Sequence, residues 1–515
     1  MRYTGISIGP IVRTLSMVRK PRDLWSASYM FSLLMKYIYG ELQESKDVTI
    51  ISPEVSVKIP DDVGIYPDRV YFKGEVEVKS ILKKAKDEFL RDIGMQETVF
   101  DNYFNLMVAF YDDASSESDA IAQLNQRLDV MELCNFAADV DATEKIHNII
   151  APHNKKDSIY HKMTAQDKEV DSLAEIATAH LRALDPEAWK QARTAARIEE
   201  RVIENIKREL GYIPDDLLIK WEDFYTKLGK INTGTLKNHH KYFCVVQADG
   251  DNMGAAISHK DLQDGAVAEI SKALVKFGLN ATETIKAYGG FPVYAGGDDL
   301  LFIAPVIGKD GTHIFDLLNK IENDAFKEVS NEVAALEDKD GKKLGIEVSL
   351  SFGVSISYYK YPLYEALEKA RELLFDVAKD KNKFPSKKVV AWSLRKHSGG
   401  TFDVAFSLKI QDLMTQFVNL IAATVDGNTV SAVAHKIRQE EALVDIVLES
   451  KDADRLDTLF EKVLGFDTNK SSYFNAVKDI MPTLYDVIGE ENYVRTLYSL
   501  LRTAKFINGE DLRDE

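Results

Sequence analysis

Three aspartates stand where their spacing could do chemistry. Asp249 lies in Asp249-Gly250-Asp251, which closes an apolar run from Tyr242 to Ala248. Asp298 and Asp299 follow paired glycines in Tyr294-Ala295-Gly296-Gly297-Asp298-Asp299, and a second apolar run, Leu300 to Ala304, comes next. Gly-Gly between strand-like runs reads as a hairpin turn, because glycine takes positive φ without a Cβ penalty. If the runs are neighbouring strands, the acids meet at one sheet edge. Two carboxylates ~4 Å apart repel by about 4 kcal/mol at an effective dielectric near 20. No Lys or Arg lies between Lys241 and Lys260, or between Lys286 and Lys309. The neutralising charge therefore comes from a distant segment or from a bound cation. Oxygen-only ligands suit a hard ion such as Mg²⁺, which uses a few carboxylates plus substrate phosphates. The bound ion is the reading adopted. A solvated turn is the plain alternative, and the matching acids at Asp249 weigh against it.

The elements that must position these acids form a repeated pattern. Residues 5 to 13 read as a strand, a helix opens at Arg22, strands follow at 48 to 53 and 68 to 73, and a helix runs from Glu75 to Ile93. A strand from Tyr103 to Tyr111 and a helix from Ser116 to Phe136 complete the unit, whose order is βαββαβ, the ferredoxin-like arrangement. The order recurs as a strand at 242 to 248, a helix at 262 to 279, the hairpin at 291 to 304, a helix at 313 to 336, and a strand at 346 to 354. A helix from Leu363 then ends at Lys379. The fold class is α+β, with domains expected at 1–136, 137–238 (helical), 239–396 and 397–515 (helical, no strand signature). In the first copy the strand ends read as Ile8-Gly9-Pro10 and Tyr71-Phe72-Lys73, so that copy is expected to be catalytically silent. Thr233 to His240 reads as a linker, in which His239 and His240 point oppositely.

Composition narrows the class. The chain has 515 residues, a formal net charge of −17 and two cysteines, Cys134 and Cys244. A disulfide framework and a four-cysteine zinc site are excluded, and a reducing cytoplasm fits. No apolar run approaches the ~20 residues of a membrane span. The acidic balance argues against a surface that is generally nucleic-acid binding.

The hairpin, together with Asp249-Gly250-Asp251-Asn252-Met253-Gly254 and the opening Ile8-Gly9-Pro10 with Arg19-Lys20-Pro21-Arg22-Asp23-Leu24-Trp25, resembles the palm-containing large subunit of type III-B CRISPR effectors, the Cmr complex. The resemblance implies two palm/cyclase-type domains. It implies target-RNA-activated conversion of ATP to a signalling adenylate, cyclic oligoadenylate first, inside a cytoplasmic complex with crRNA and target RNA. On it, Asp249, Asp298 and Asp299 would hold two Mg²⁺ or Mn²⁺ ions. Gly250, Asp251, Asn252, Gly254, Tyr294, Gly296, Gly297 and Lys379 would contact the nucleotide, with Lys379 on the triphosphate. Asp251 as a helix cap, and Lys379 as a solvated charge at a helix end, stay open. From the first copy, Asp23, Trp25 and Ser28 are candidate contributors, against a plain core role. Residue 1 stands close to the first palm and there is no His-Asp dipeptide, so no HD nuclease is expected. Some relatives lacking the nuclease join AMP to S-adenosylmethionine, which leaves that product open. A non-catalytic scaffold is the reading from another class, and a diguanylate cyclase fits the long helical regions poorly.

Overall fold

A computed structural model describes residues 1–133, 139–152, 157–164, 170–197, 200–210, 220–231, 236–338, 340–385, 387–407, 418, 427–466, 472–488 and 493–509. The first unit contains strands β1 (Tyr3–Gly9), β2 (Val48–Ser52), β3 (Arg69–Gly74) and β4 (Asn105–Tyr111). They form one antiparallel sheet in the order β2-β3-β1-β4, the ferredoxin-like order. A short helix α1 (Ile11–Ser16) and the long α2 (Pro21–Glu44) follow β1, α3 (Val78–Ile93) follows β3, and α4 (Glu117–Leu133) follows β4. The chain turns helical at Ile11, so the first strand is shorter than the run to Arg13 expected from its residues. Phe136 and Cys134 fall outside the described residues. Helix α5 (Val140–Ile150) begins the middle region.

The second unit repeats the order with β5 (Tyr242–Asp251), β6 (Phe291–Gly296), β7 (Asp299–Pro305) and β8 (Ser349–Tyr358), and helix α6 (Ala266–Tyr288) connects β5 to β6. Apolar residues Val267, Ile270, Leu274, Phe277, Ala281 and Ile285 recur at helical spacing along α6 and are buried against the sheet. The central strand β5 is covered on both faces, which its unbroken apolar run foretells. Tyr242, Cys244, Val246 and Ala248 face one core with α6. Phe243 and Val245 face another that includes Trp25, Met30 and Leu34 of α2.

The sheet does not stop at β8. Strand β9 (Val389–Arg395) runs parallel to β8, and β10 (Thr401–Ser407) returns antiparallel, giving the order β10-β9-β8-β5-β7-β6. The region after Lys396 was expected to be helical without strands. Residues Phe402, Val404 and Phe406 instead alternate inward from β10, a period-two pattern in a run too short to stand out from the helical signals behind it. The helix expected from Phe406 to Val425 lies almost wholly outside the described residues. Helix α7 (Leu363–Glu372) leaves β8, and α8 (Tyr493–Ile507) packs on β10.

The linker expectation is also corrected. Asn238–Lys241 is a turn of 3₁₀ helix, with His239 and His240 buried and their ring centroids 4.2 Å apart rather than opposed. Burial pushes His239 down to about 3. His240 Nε2 and His180 Nδ1 lie 3.5 Å apart, so the pair joins the middle helices to the second unit. Among the described residues no helix is long and apolar enough to cross a membrane.

Candidate active site

Strands β5 and β7 pair antiparallel from Phe243↔Pro305 to Ala248↔Leu300, and one further step of the same register sets Asp249 opposite Asp299. The two acids therefore share a face, as same-face residues on adjacent strands do. Strand β6 ends at Gly296 and β7 begins at Asp299, so the turn is Gly297-Asp298 rather than Gly-Gly. Gly297 has φ +67°, the left-handed conformation that a two-residue hairpin with glycine first requires. Asp298 thus rides on the turn, and Asp299 rides on the strand.

The four glycines have two different jobs. A Cβ on Gly250 would lie 2.4 Å from Asp298 Oδ2 and 2.6 Å from Met253 Cγ, so Gly250 is what lets the turn close over β5. A Cβ on Gly296 would strike the Tyr294 hydroxyl at 2.4 Å. Gly254 and Gly297 meet nothing within 4 Å and leave open backbone.

Lys379 is brought in by α7, whose last turns widen into a π-helical segment, Leu373–Ala378. Its ammonium contacts the Asp249 carboxylate, donates to the Gly250 carbonyl at 2.9 Å, and lies 3.9 Å from Asp251 Oδ1. The neutralising charge at Asp249 therefore comes from a distant segment, the possibility set aside above for a bound ion. Burial, helped by nearby Lys387, pushes the Lys379 ammonium down to about 7, while the contact with Asp249 works the other way.

Asp251 does not cap the next helix. Its Oδ2 accepts from Ser349 Oγ (2.9 Å), Ser351 Oγ (2.8 Å) and the Lys388 N–H (2.9 Å), which ties β5 to β8 and to the start of β9. Its Oδ1 is buried without a hydrogen-bond donor. Asn252 takes the cap position in a left-handed conformation, and its side-chain amide donates to the Glu347 carbonyl at 3.1 Å. Lys388 also pairs with buried Glu322 at 2.9 Å, beneath the same rim.

Asp298 and Asp299 make no ion pair with a Lys or Arg among the described residues. Burial raises both carboxyls; the negative charge of Asp251 adds to Asp298, while Asp298 and then Asp68 add to Asp299. Asp68 belongs to the first unit, and it was missed. Strand β3 is the counterpart of β7, and its matching end reads Asp68-Arg69, not Tyr71-Phe72-Lys73 at the far end. Inspecting both ends of each strand would have found it. Burial raises Asp68 as well, and its charge reaches Asp298, Asp299 and Tyr294. The segment before β3 lies along the edge of the second sheet, where the Ala295 N–H donates to the Gly64 carbonyl at 2.9 Å and Gly64 pairs with Tyr294.

The other first-unit candidates are core residues. Trp25 is fully buried, stacks on Tyr29 and donates to the Asp62 carbonyl at 3.0 Å. Asp23 and Ser28 are 4% and 5% exposed within α2.

Asp249, Asp298 and Asp299 offer carboxylate oxygens only, and Asp298 and Asp299 are buried with no Lys or Arg partner among the described residues, which is the donor chemistry a hard divalent ion takes. As the side chains stand, no three His, Cys, Asp or Glu among the described residues form a set that could hold an ion, and Lys379 occupies Asp249.

Comparison with known proteins agrees with this layout. Residues 242–385 match the family described as Cas10/Cmr2, second palm domain, and residues 3–123 match CRISPR-associated protein Cmr2, N-terminal. The chain is 32% identical over 206 residues to the CRISPR system Cmr subunit Cmr2 of Pyrococcus furiosus, an alignment covering 35% of this chain and only 21% of that protein. The fold is similar to a chain of type III-B Cmr-beta bound to cognate target RNA (TM-score 0.61, 12% identity, 99% of this chain and 83% of that one). It is also similar to a chain of the Csm1-Csm4 cassette in complex with AMPPNP (TM-score 0.51, 11% identity, 98% and 69%). One family match falls on each of the two sheets, and the acidic hairpin lies inside the second; the chain belongs to the Cas10/Cmr2 family.

Proposed function

We propose that the chain is the large subunit of a type III CRISPR effector and that its second palm is a nucleotidyltransferase converting ATP to a signalling adenylate, cyclic oligoadenylate first. The observation that carries the reading is the placement of Asp249 and Asp299 at facing positions on one sheet face, with Asp298 on the turn between strands. The AMPPNP and target RNA named for the two structural relatives are consistent with ATP as substrate and RNA as trigger.

Asp249, Asp298 and Asp299 would hold two Mg²⁺ or Mn²⁺ ions. When bound, such ions supply charge stabilisation to the α-phosphate and to the attacking 3′-hydroxyl, and pyrophosphate leaves. The chain's own residues do the rest. Lys379, released from Asp249, is the cation within reach of a triphosphate. Open backbone at Gly254 and Gly297 lets phosphate oxygens approach N–H groups, whereas Gly250 and Gly296 make room for Asp298 and Tyr294. Asp251 keeps the rim fixed through three hydrogen bonds, and Asn252 holds the loop to Glu347. Asp23, Trp25 and Ser28 play no part in the proposed site.

The test incubates the purified complex with labelled ATP, Mg²⁺ or Mn²⁺ and matching RNA. A new nucleotide product, lost in Asp298→Ala plus Asp299→Ala, supports the reading. No product, or the same yield from the variant, leaves the scaffold reading. Adding S-adenosylmethionine to the same reaction and weighing the product distinguishes a conjugate from a cyclic oligomer.

A further inference from the structure

An open surface groove of about 640 Å³ lies where three parts of the chain meet. Arg13 and Ser16 of α1 and Met17 and Arg19 of the following turn form one wall; Val140, Thr143, Glu144 and His147 of α5 form another, and Tyr364 of α7 forms the third side. Its volume is in the range of small-molecule sites, ~300–1,000 Å³. Tyr364 begins the helical run that ends at Lys379, so some sixteen residues, roughly 20–25 Å of helix, separate the cavity from Asp249.

Two arginines stand on one wall of this cavity. Elsewhere in the chain several arginines pair with an acid, as Arg2 does with Asp112, Arg69 with Asp129 and Arg182 with Asp171. Arg13 and Arg19 are exposed and make no ion pair or side-chain hydrogen bond among the described residues. The one acid on the walls, Glu144, pairs with neither. Two free guanidinium forks on one wall match phosphate oxygens, which arginine binds in a bidentate manner. The Tyr364 ring, 40% exposed, and the apolar Met17 and Val140 offer a surface on which a base can stack.

We propose that this cavity binds a phosphorylated nucleotide, with Arg13 and Arg19 on the phosphate and Tyr364 under the base. The ligand is either a free nucleotide or one residue of a single-stranded RNA. The site is independent of the acidic hairpin and stands or falls without it.

The experiment is fluorescence anisotropy of the full chain with a 3′-labelled, 5′-phosphorylated tetra-adenylate, repeated over a range of salt and in competition with AMP. Arg13→Ala plus Arg19→Ala should weaken binding at least tenfold and lower the salt slope by about 1.4, the loss of two contacts at ~0.7 each for a single strand. Tyr364→Ala should weaken binding severalfold. Competition by AMP assigns the site to free nucleotides, and displacement only by RNA assigns it to a strand. The exposed arginines can be removed without lowering the melting temperature; if the double variant is unstable, Arg13→Gln and Arg19→Gln are read singly. No saturable binding, or binding within twofold of the parent chain in the arginine variants, overturns the proposal.

Discussion

The Lys379 ammonium and the Asp249 carboxylate are in contact, across 130 positions of chain, and the same ammonium donates to the Gly250 carbonyl. A lysine thus holds the carboxylate that the proposed chemistry requires for a divalent ion.

That contact makes Lys379→Met informative. Removing the ammonium should tighten Mn²⁺ binding to the nucleotide-free chain, measured by calorimetry, because a competing cation is gone. The same variant should raise the KM for ATP about tenfold or more, since a charge-assisted contact of ~1.5–3 kcal/mol is lost. Weaker Mn²⁺ binding in Lys379→Met would show that the lysine does not compete.

Asp249→Asn, Asp298→Asn and Asp299→Asn should each lower nucleotide synthesis by about 10²-fold or more while the fold persists, as expected for ligands whose charge stabilises the transition state. Product yield and circular dichroism, read on the same preparations, check both halves of the statement.

The raised carboxyls of Asp298 and Asp299 give stability a definite pH slope. Below the unfolded value of ~4 both states hold the proton and the pair costs nothing. As pH rises through the raised native values, the unfolded chain has already released its protons, so stability falls. Asp298→Asn plus Asp299→Asn should therefore raise the melting temperature at pH 7 without divalent ions, and have little effect at pH 4. Millimolar Mg²⁺ should stabilise the parent chain at pH 7 and not the variant.

Gly250→Ala and Gly254→Ala should part company. The first places a methyl 2.4 Å from Asp298 Oδ2, an overpacking that costs about 1–3 kcal/mol and displaces the acid, so activity falls with stability. The second enters open space within a helix, where alanine is favoured by roughly 0.5–1 kcal/mol, so thermal melting is unchanged or improved. A loss of synthesis in stable Gly254→Ala would place phosphate against that backbone.

Asp251→Ala removes an acceptor from two serines and one backbone N–H, all at a buried strand junction. With ~1–3 kcal/mol for each buried donor left unpaired, denaturant unfolding should register a loss of several kcal/mol. Asp251→Asn, which keeps one oxygen, should lose less.

The amino-acid sequence by itself determined the two copies of the βαββαβ unit, because alternating and 3.6-residue apolar periods are local properties of the chain. It also determined that the second copy alone carries Asp249 and the Gly-Gly-Asp-Asp run, and that glycine would let that hairpin turn. Only the tertiary structure decided which charges face those acids. Lys379 reaches Asp249 because α7 crosses the sheet from β8, and Asp68 reaches Asp299 because the first unit lies along the edge strand β6; neither distance is encoded in spacing along the chain. Asp251 became a buried strap through partners 98 to 137 residues away, and β9 joined the sheet by pairing in parallel with β8 across an intervening helix, a register no short window contains.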